Sequence, residues 1–154
     1  MRSLVPLLAL ALAACTVTVS FVPPTIQNLW TQDRYCTYKT TRVDFSFDFS
    51  GVLTRLDVYL LDDGQTPDQA RPGQKVASLA TLILGQGRAT GYVDVTPRQT
   101  QQALSPQGII VEPVRNKRLW VQGFNVNAPS EFVRSSVVMV PDRTGACDPL
   151  NTAP

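Results

Sequence analysis

The residues that could carry chemistry are few. The 154-residue chain has no histidine. That removes the commonest general base and metal ligand, and with it any Ser-His-Asp or Cys-His centre within the chain. No serine sits in a G-x-S-x-G elbow or an S-x-x-K motif. The only glutamates are Glu112 and Glu131, and no carboxylate pair is singled out for glycoside chemistry. Asp62, Asp63 and Asp68 crowd the stretch DDGQTPDQARPGQ. Carboxylates and loop carbonyls can hold calcium, but this spacing does not match the D-x-[DN]-x-[DN]-G loop and lacks its closing glutamate. Asp-Asp-Gly is first a turn signal, so no metal and no cofactor are assigned. Arg115, Lys117 and Arg118 precede Trp120. They could meet lipid phosphates or an acidic partner, or simply form a solvated hairpin turn. Tyr35 and Tyr38 flank Cys36. They could stack on a sugar, or cover a disulfide.

The start of the chain has its own logic. Arg2 precedes an apolar run from Leu4 to Ala14, too short for the roughly 20 residues a membrane-spanning helix needs. A charged start, a short apolar middle and small residues at the end describe a secretory signal peptide. Leu12-Ala13-Ala14-Cys15 resembles the bacterial lipobox, the leucine–small–small–cysteine signal of lipoproteins. The resemblance covers the leader alone. It implies that Cys15 receives a diacylglyceryl group, that cleavage precedes it, and that its new amine is often acylated too. Residues 1–14 would then be the signal peptide. The partner of Cys15 would be the lipid bilayer. Thr16 in place of aspartate favours the outer membrane by the enterobacterial sorting pattern. One chain holds a membrane marginally at ~0.8 kcal/mol per buried methylene, whereas two or three hold it stably.

The remaining cysteines follow from that assignment. Three cysteines are present, and an odd count in an exported protein leaves one thiol to explain. With Cys15 acylated, Cys36 and Cys147 form an even pair in a compartment where disulfides persist. A redox role would call for a C-x-x-C spacing that is absent, so a structural staple is expected.

The elements expected to position these residues are strands. Removing the leader leaves 140 residues, enough for one domain with a real core. The formal net charge of +2 gives none of the basic excess that nucleic acid requires. Residues 15–24 are the lipidated cysteine followed by a tether or a first strand, because the alternation in TVTVSFV suits either. Thr41 to Ser50 alternates cleanly, with Val43, Phe45, Phe47 and Phe49 on one side. Gly51 is expected to break it, and Val52 to Leu61 to return as the second strand of a hairpin. Lys75 to Leu84 is apolar with little alternation and reads as a central strand. Gly85-Gln86-Gly87 reads as a turn before Arg88 to Val95. A short helix is expected from Thr96 to about Leu104. Strands at Ile109–Val114, Leu119–Asn127 and Phe132–Val140 complete the count. Seven or eight short strands in residues 25–154 predict an all-β fold, an antiparallel β-sandwich of immunoglobulin-like type or a small barrel. The Cys…Trp…Cys pattern of antibody domains is missing. The expected role is that of an anchored cell-envelope lipoprotein with a structural or protein-interaction function. A ligand-binding module for a glycan or small molecule is the second expectation, and an enzyme a distant third.

The staple has a direct test. The tail GACDPLNTAP has too few apolar residues to dock by burial, and an untied terminus frays. Reduction, or Cys147→Ser, should free the tail and lower the melting temperature while leaving the far-UV β spectrum unchanged. The entropic gain lost is at most ~4.7 kcal/mol for a loop of this size. Titration that finds both thiols reactive in the oxidised protein would end the idea.

Overall fold

A computed structural model describes residues 22–37, 41–95, 115–126 and 128–142. These residues form eight strands: β1 (Thr25–Thr31), β2 (Arg34–Cys36), β3 (Thr41–Asp62), β4 (Lys75–Val95), β5 (Lys117–Asn125), β6 (Ala128–Pro129), β7 (Val133–Arg134) and β8 (Val140–Asp142). The fold is all-β. Six strands make one antiparallel sheet, and β2 and β8 pair in parallel as a separate two-stranded sheet. The expected helix at 96–104 and the expected strand at 109–114 lie outside the described residues. So do residues 16–21 of the expected tether or first strand, while Val22–Pro24 precede β1 without strand structure.

The largest departure from the expected pattern is β3. Thr41–Ser50 and Val52–Leu61 are not two strands of a hairpin. They are one strand of 22 residues. Its true partner is β4, which is also continuous and runs antiparallel from Thr41↔Val95 to Tyr59↔Lys75. Gly85-Gln86-Gly87 is not a turn but lies within the ladder, opposite Gly51, Ser50 and Phe49. The turn of this hairpin is the loop 63–74, closed by Leu60 N donating to Gln74 O at 2.8 Å. β4 covers one edge of β3. β1 and β5 share the other edge in succession, β1 along Phe45–Ser50 and β5 along Arg55–Asp62.

A straight strand of this length would part its ends by about 70 Å. The chain does not permit that. Asp63 N donates to Asn116 O at 2.9 Å, and Tyr35 OH donates to the neighbouring Arg115 O at 2.5 Å. Tyr35 is six residues from Thr41, a reach of about 21 Å, so the two ends of β3 lie within roughly 40 Å. The strand must bend, and two features allow it. Gly51 faces Gly85, with φ of 103° and 99°, a backbone region that L side chains rarely enter. Just beyond, the register slips between Leu53 and Arg55. This irregularity switches the inward face from odd residues (Phe45, Phe47, Phe49, Leu53) to even ones (Leu56, Val58, Leu60), all buried. Thr54 stitches the slip, donating to Phe124 O at 3.0 Å and accepting from Val126 N at 2.8 Å.

One buried cluster runs through both halves of β3 and takes in Ile26, Leu29, Val93, Leu119, Val121 and Met139. Phe45 stacks on Phe47 at 6.2 Å, and Phe47 meets Phe49 edge-on at 6.5 Å. Each such side chain, fully buried, contributes about 1.5–3 kcal/mol. Gly123 is where β1 meets β5, since a Cβ there would come within 2.6 Å of Leu53 Cδ1 and 2.7 Å of Ile26 Cδ1.

Two other expectations change. β1 and β2 add to the strands that the sequence pattern predicts; in β1 the bulge at Asn28, with φ of 51°, breaks the alternation of TIQNLWT. Phe132–Val140 is not one strand. Ser135 interrupts it by accepting from Leu119 N at 3.3 Å and donating to Val137 O at 2.8 Å. A serine bonded to nearby backbone competes with a regular ladder.

If the Gly51–Gly85 pair permits the bend, Gly51→Ala and Gly85→Ala should each cost about 1–3 kcal/mol of stability. Gly87→Ala is the control. It has no positive φ, and a Cβ there would lie 4.0 Å from Phe49 Cε1. Urea unfolding of the three variants separates the cases, and equal losses at all three positions would refute the hinge.

Candidate interaction surface

β4 was expected to be a central strand and is an edge strand. Among the described residues it pairs with β3 alone. No described strand pairs with its outward N–H and C=O groups. The apolar run that suggested burial on two faces divides between them. Ala77, Leu79 and Ile83 pack against the core. Ala80, Leu82 and Leu84 point the other way and are exposed, with Leu82 at 71% and Leu84 at 65%. Residues 76–87 contain no charge and no proline.

Edges are usually guarded by charge, proline or a bulge. On β4 the register slip opposite Thr54 leaves one extra residue at Thr81–Leu82, and the flanking cations turn toward β3. Lys75 Nζ donates to Asp57 Oδ2 at 2.7 Å on the adjacent strand, where Ser78 Oγ also donates to Asp57 Oδ1 at 2.6 Å. Asp57 is buried, so its carboxylate needs these donors. Arg88 Nε donates to Asp48 Oδ1 at 3.3 Å. Both cations are spent on β3 carboxylates.

The same face of the sheet carries aromatic side chains under cations. Arg55 lies 3.7 Å from the Phe124 ring centre, Lys75 lies 5.9 Å from that of Tyr59, and Arg134 lies 6.0 Å from that of Trp120. Tyr59 meets Phe132 edge-on at 5.7 Å. Trp120 is thus half-buried on this outer face.

The residues singled out by charge neutralise one another. Lys117 is paired with Asp62, which also receives Arg71 at 3.1 Å. Arg118 Nε pairs with Asp63 Oδ1 at 2.6 Å and its Nη1 donates to Ser135 O and Ser136 O. Asp62 and Asp63 are therefore ligands for cationic side chains within the chain. Asp68 sits apart, in the short 3-10 turn Pro67–Gln69. Among the described residues, no group of three Cys, Asp or Glu is arranged to hold a metal. Arg115 is exposed, and its carbonyl takes the Tyr35 hydroxyl. Tyr35 is buried at 7% exposure, so it offers no stacking face to a sugar. Tyr38 lies outside the described residues, as do Cys15 and Cys147. Cys36 is 1% exposed in β2.

A shallow groove of about 620 Å³ lies between β1 and the β7–β8 connection, lined by Asn28, Trp30, Arg88, Arg118, Arg134 and Ser136 among others. Two of its three arginines are already ion-paired, to Asp48 and Asp63. The signal in sequence for the β4 surface is its apolar run without alternation, which fits a central strand and an apolar edge strand equally.

Asp48 offers a local probe of this region. Asn28 Nδ2 donates to Asp48 Oδ2 at 2.8 Å. That hydrogen bond, with a smaller contribution from Arg88, holds the carboxyl below its ordinary value of 3.8 despite some opposing desolvation. A depressed folded-state value stabilises the fold above pH ~3.9, and the gain is lost as pH falls through the lowered value. Asn28→Gly keeps the left-handed backbone and removes the amide. The Asp48 titration, followed by NMR, should then move up toward 3.8. An unmoved midpoint would show that Asn28 does not set it.

No family model matches the chain, no curated protein matches it, and no solved structure matches it.

Proposed function

We propose that the chain is a lipid-anchored lipoprotein of the bacterial cell envelope whose role is non-catalytic and interaction-based. The observation that carries the interaction role is the free β4 edge, with Leu82 and Leu84 exposed on a strand bounded by inward-turned cations. An open apolar edge suits a protein partner. The only basis for the anchor is the leader, where Leu12-Ala13-Ala14-Cys15 resembles a lipobox. The outer membrane is the favoured site of anchoring, and the partner is an envelope protein. The Cys36–Cys147 staple belongs to the same proposal, supported by the burial of Cys36. The bend in β3 favours two facing layers, and hence a sandwich; the immunoglobulin-like version is the finer form of that proposal.

The second reading is a ligand-binding module. The arginine-lined groove favours it. The groove is shallow, however, whereas small-molecule sites are concave and mostly apolar.

The anchor is tested by replacing Cys15. The wild-type mature chain should carry an acyl mass and fractionate with membranes, and Cys15→Ala should lose both. A wild-type chain without acyl mass, or a variant equally membrane-bound, would remove the lipoprotein reading.

A further inference from the structure

We propose that β4 pairs antiparallel with β4 of a second copy of this chain, about a two-fold axis through Ile83. The inference rests on the interaction reading of this edge and names its partner. The argument starts from what a two-fold axis does to this sequence. With Ile83 opposite Ile83, Leu82 faces the second copy's Leu84, and Leu84 faces the second copy's Leu82. Leu82 at 71% and Leu84 at 65% are two of the three most exposed large apolar side chains of the described residues, the other being Val22 at 67% beside β1. In β4 they share one face of the strand, so the pairing gathers four leucines into one cross-strand patch. Directly opposed apolar pairs are the stabilising unit of a sheet.

Charge selects the direction. The segment between Lys75 and Arg88 is uncharged. In-register parallel pairing would set Lys75 against Lys75 and Arg88 against Arg88, which is destabilising. The antiparallel register sets Lys75 opposite Gly91 and Arg88 opposite Ser78. Both cations are in any case held by Asp57 and Asp48 of their own chain. The edge therefore presents backbone groups and leucines with no guarding charge. A two-fold dimer is closed and removes both edges at once.

The test uses the full chain purified in detergent. Sedimentation velocity should give a dimer for the wild type and a monomer for the Leu82→Lys/Leu84→Lys double variant. The double variant should weaken the dimer by roughly tenfold or more. Both positions are exposed, so the variant should keep the wild-type circular dichroism, which separates lost pairing from lost folding. Register is read by co-expressing Leu82→Cys and Leu84→Cys chains with a short thiol cross-linker. The mixed pair should cross-link more strongly than a mixture of Ser78→Cys and Leu82→Cys chains. A wild type that stays monomeric at tens of micromolar overturns the inference. So does a double variant that remains dimeric. If the wild type is monomeric but a photo-reactive residue at position 84 captures another envelope protein, the second copy is wrong and the interaction reading stands. If position 84 instead labels lipid, both are wrong.

Discussion

The structure depends on bending one long β-hairpin. β3 and β4 are paired over eighteen registered positions, and a ribbon of that length has no core of its own if it stays straight. Its apolar faces can meet only if it folds over. The opposed glycines Gly51 and Gly85 supply the positive φ, and the slip at Thr54 exchanges the inward parity. Each feature is useless alone. A hinge without the slip would put Leu56, Val58 and Leu60 in water, and a slip without the hinge would leave the two apolar halves on one extended face.

The bend also decides where the edges fall. One side of β3 is filled by β1 and then β5, which meet at Gly123 because no side chain fits between Leu53 and Ile26 there. The other side is filled by β4 alone, and nothing among the described residues pairs with the outside of β4. The exposed leucines follow from topology. A strand written with apolar residues on both faces has been placed where one face meets water. A local pattern that disagrees with its tertiary place is where function is sought first.

Charge in this protein is mostly consumed at short range. Asp62 with Lys117 and Arg71, Asp63 with Arg118, Asp57 with Lys75, and Asp48 with Arg88 tie the loop 63–74, β3, β4 and β5 together. Asp62 and Asp63, which suggested calcium, and Lys117 and Arg118, which suggested phosphate, are the two halves of the same pairs. The more exposed pairs, Asp48–Arg88 and Asp63–Arg118, contribute little stability each. The effect of the pairs is on what remains available: little free charge at the hairpin end, and an apolar edge along β4 whose flanking cations are paired.

The sequence by itself determined that the chain is built of strands, which residues of Thr41–Ser50 face inward, and where β5 runs, because period-two alternation is a local property of the backbone. It also carried the leader motif, which is a matter of residue order alone. It did not determine that Gly51 and Gly85-Gln86-Gly87 lie inside strands. A glycine at a turn and a glycine at a bend look alike until its partner across the ladder is known. Nor could it place Lys75–Leu84, since an apolar run reads the same whether it has neighbours on one side or two. Tyr35, Lys117 and Arg118 were visible as residue types, but their partners Arg115, Asp62 and Asp63 come from distant positions. Only tertiary structure decides such matters, because they depend on which strand lies beside which.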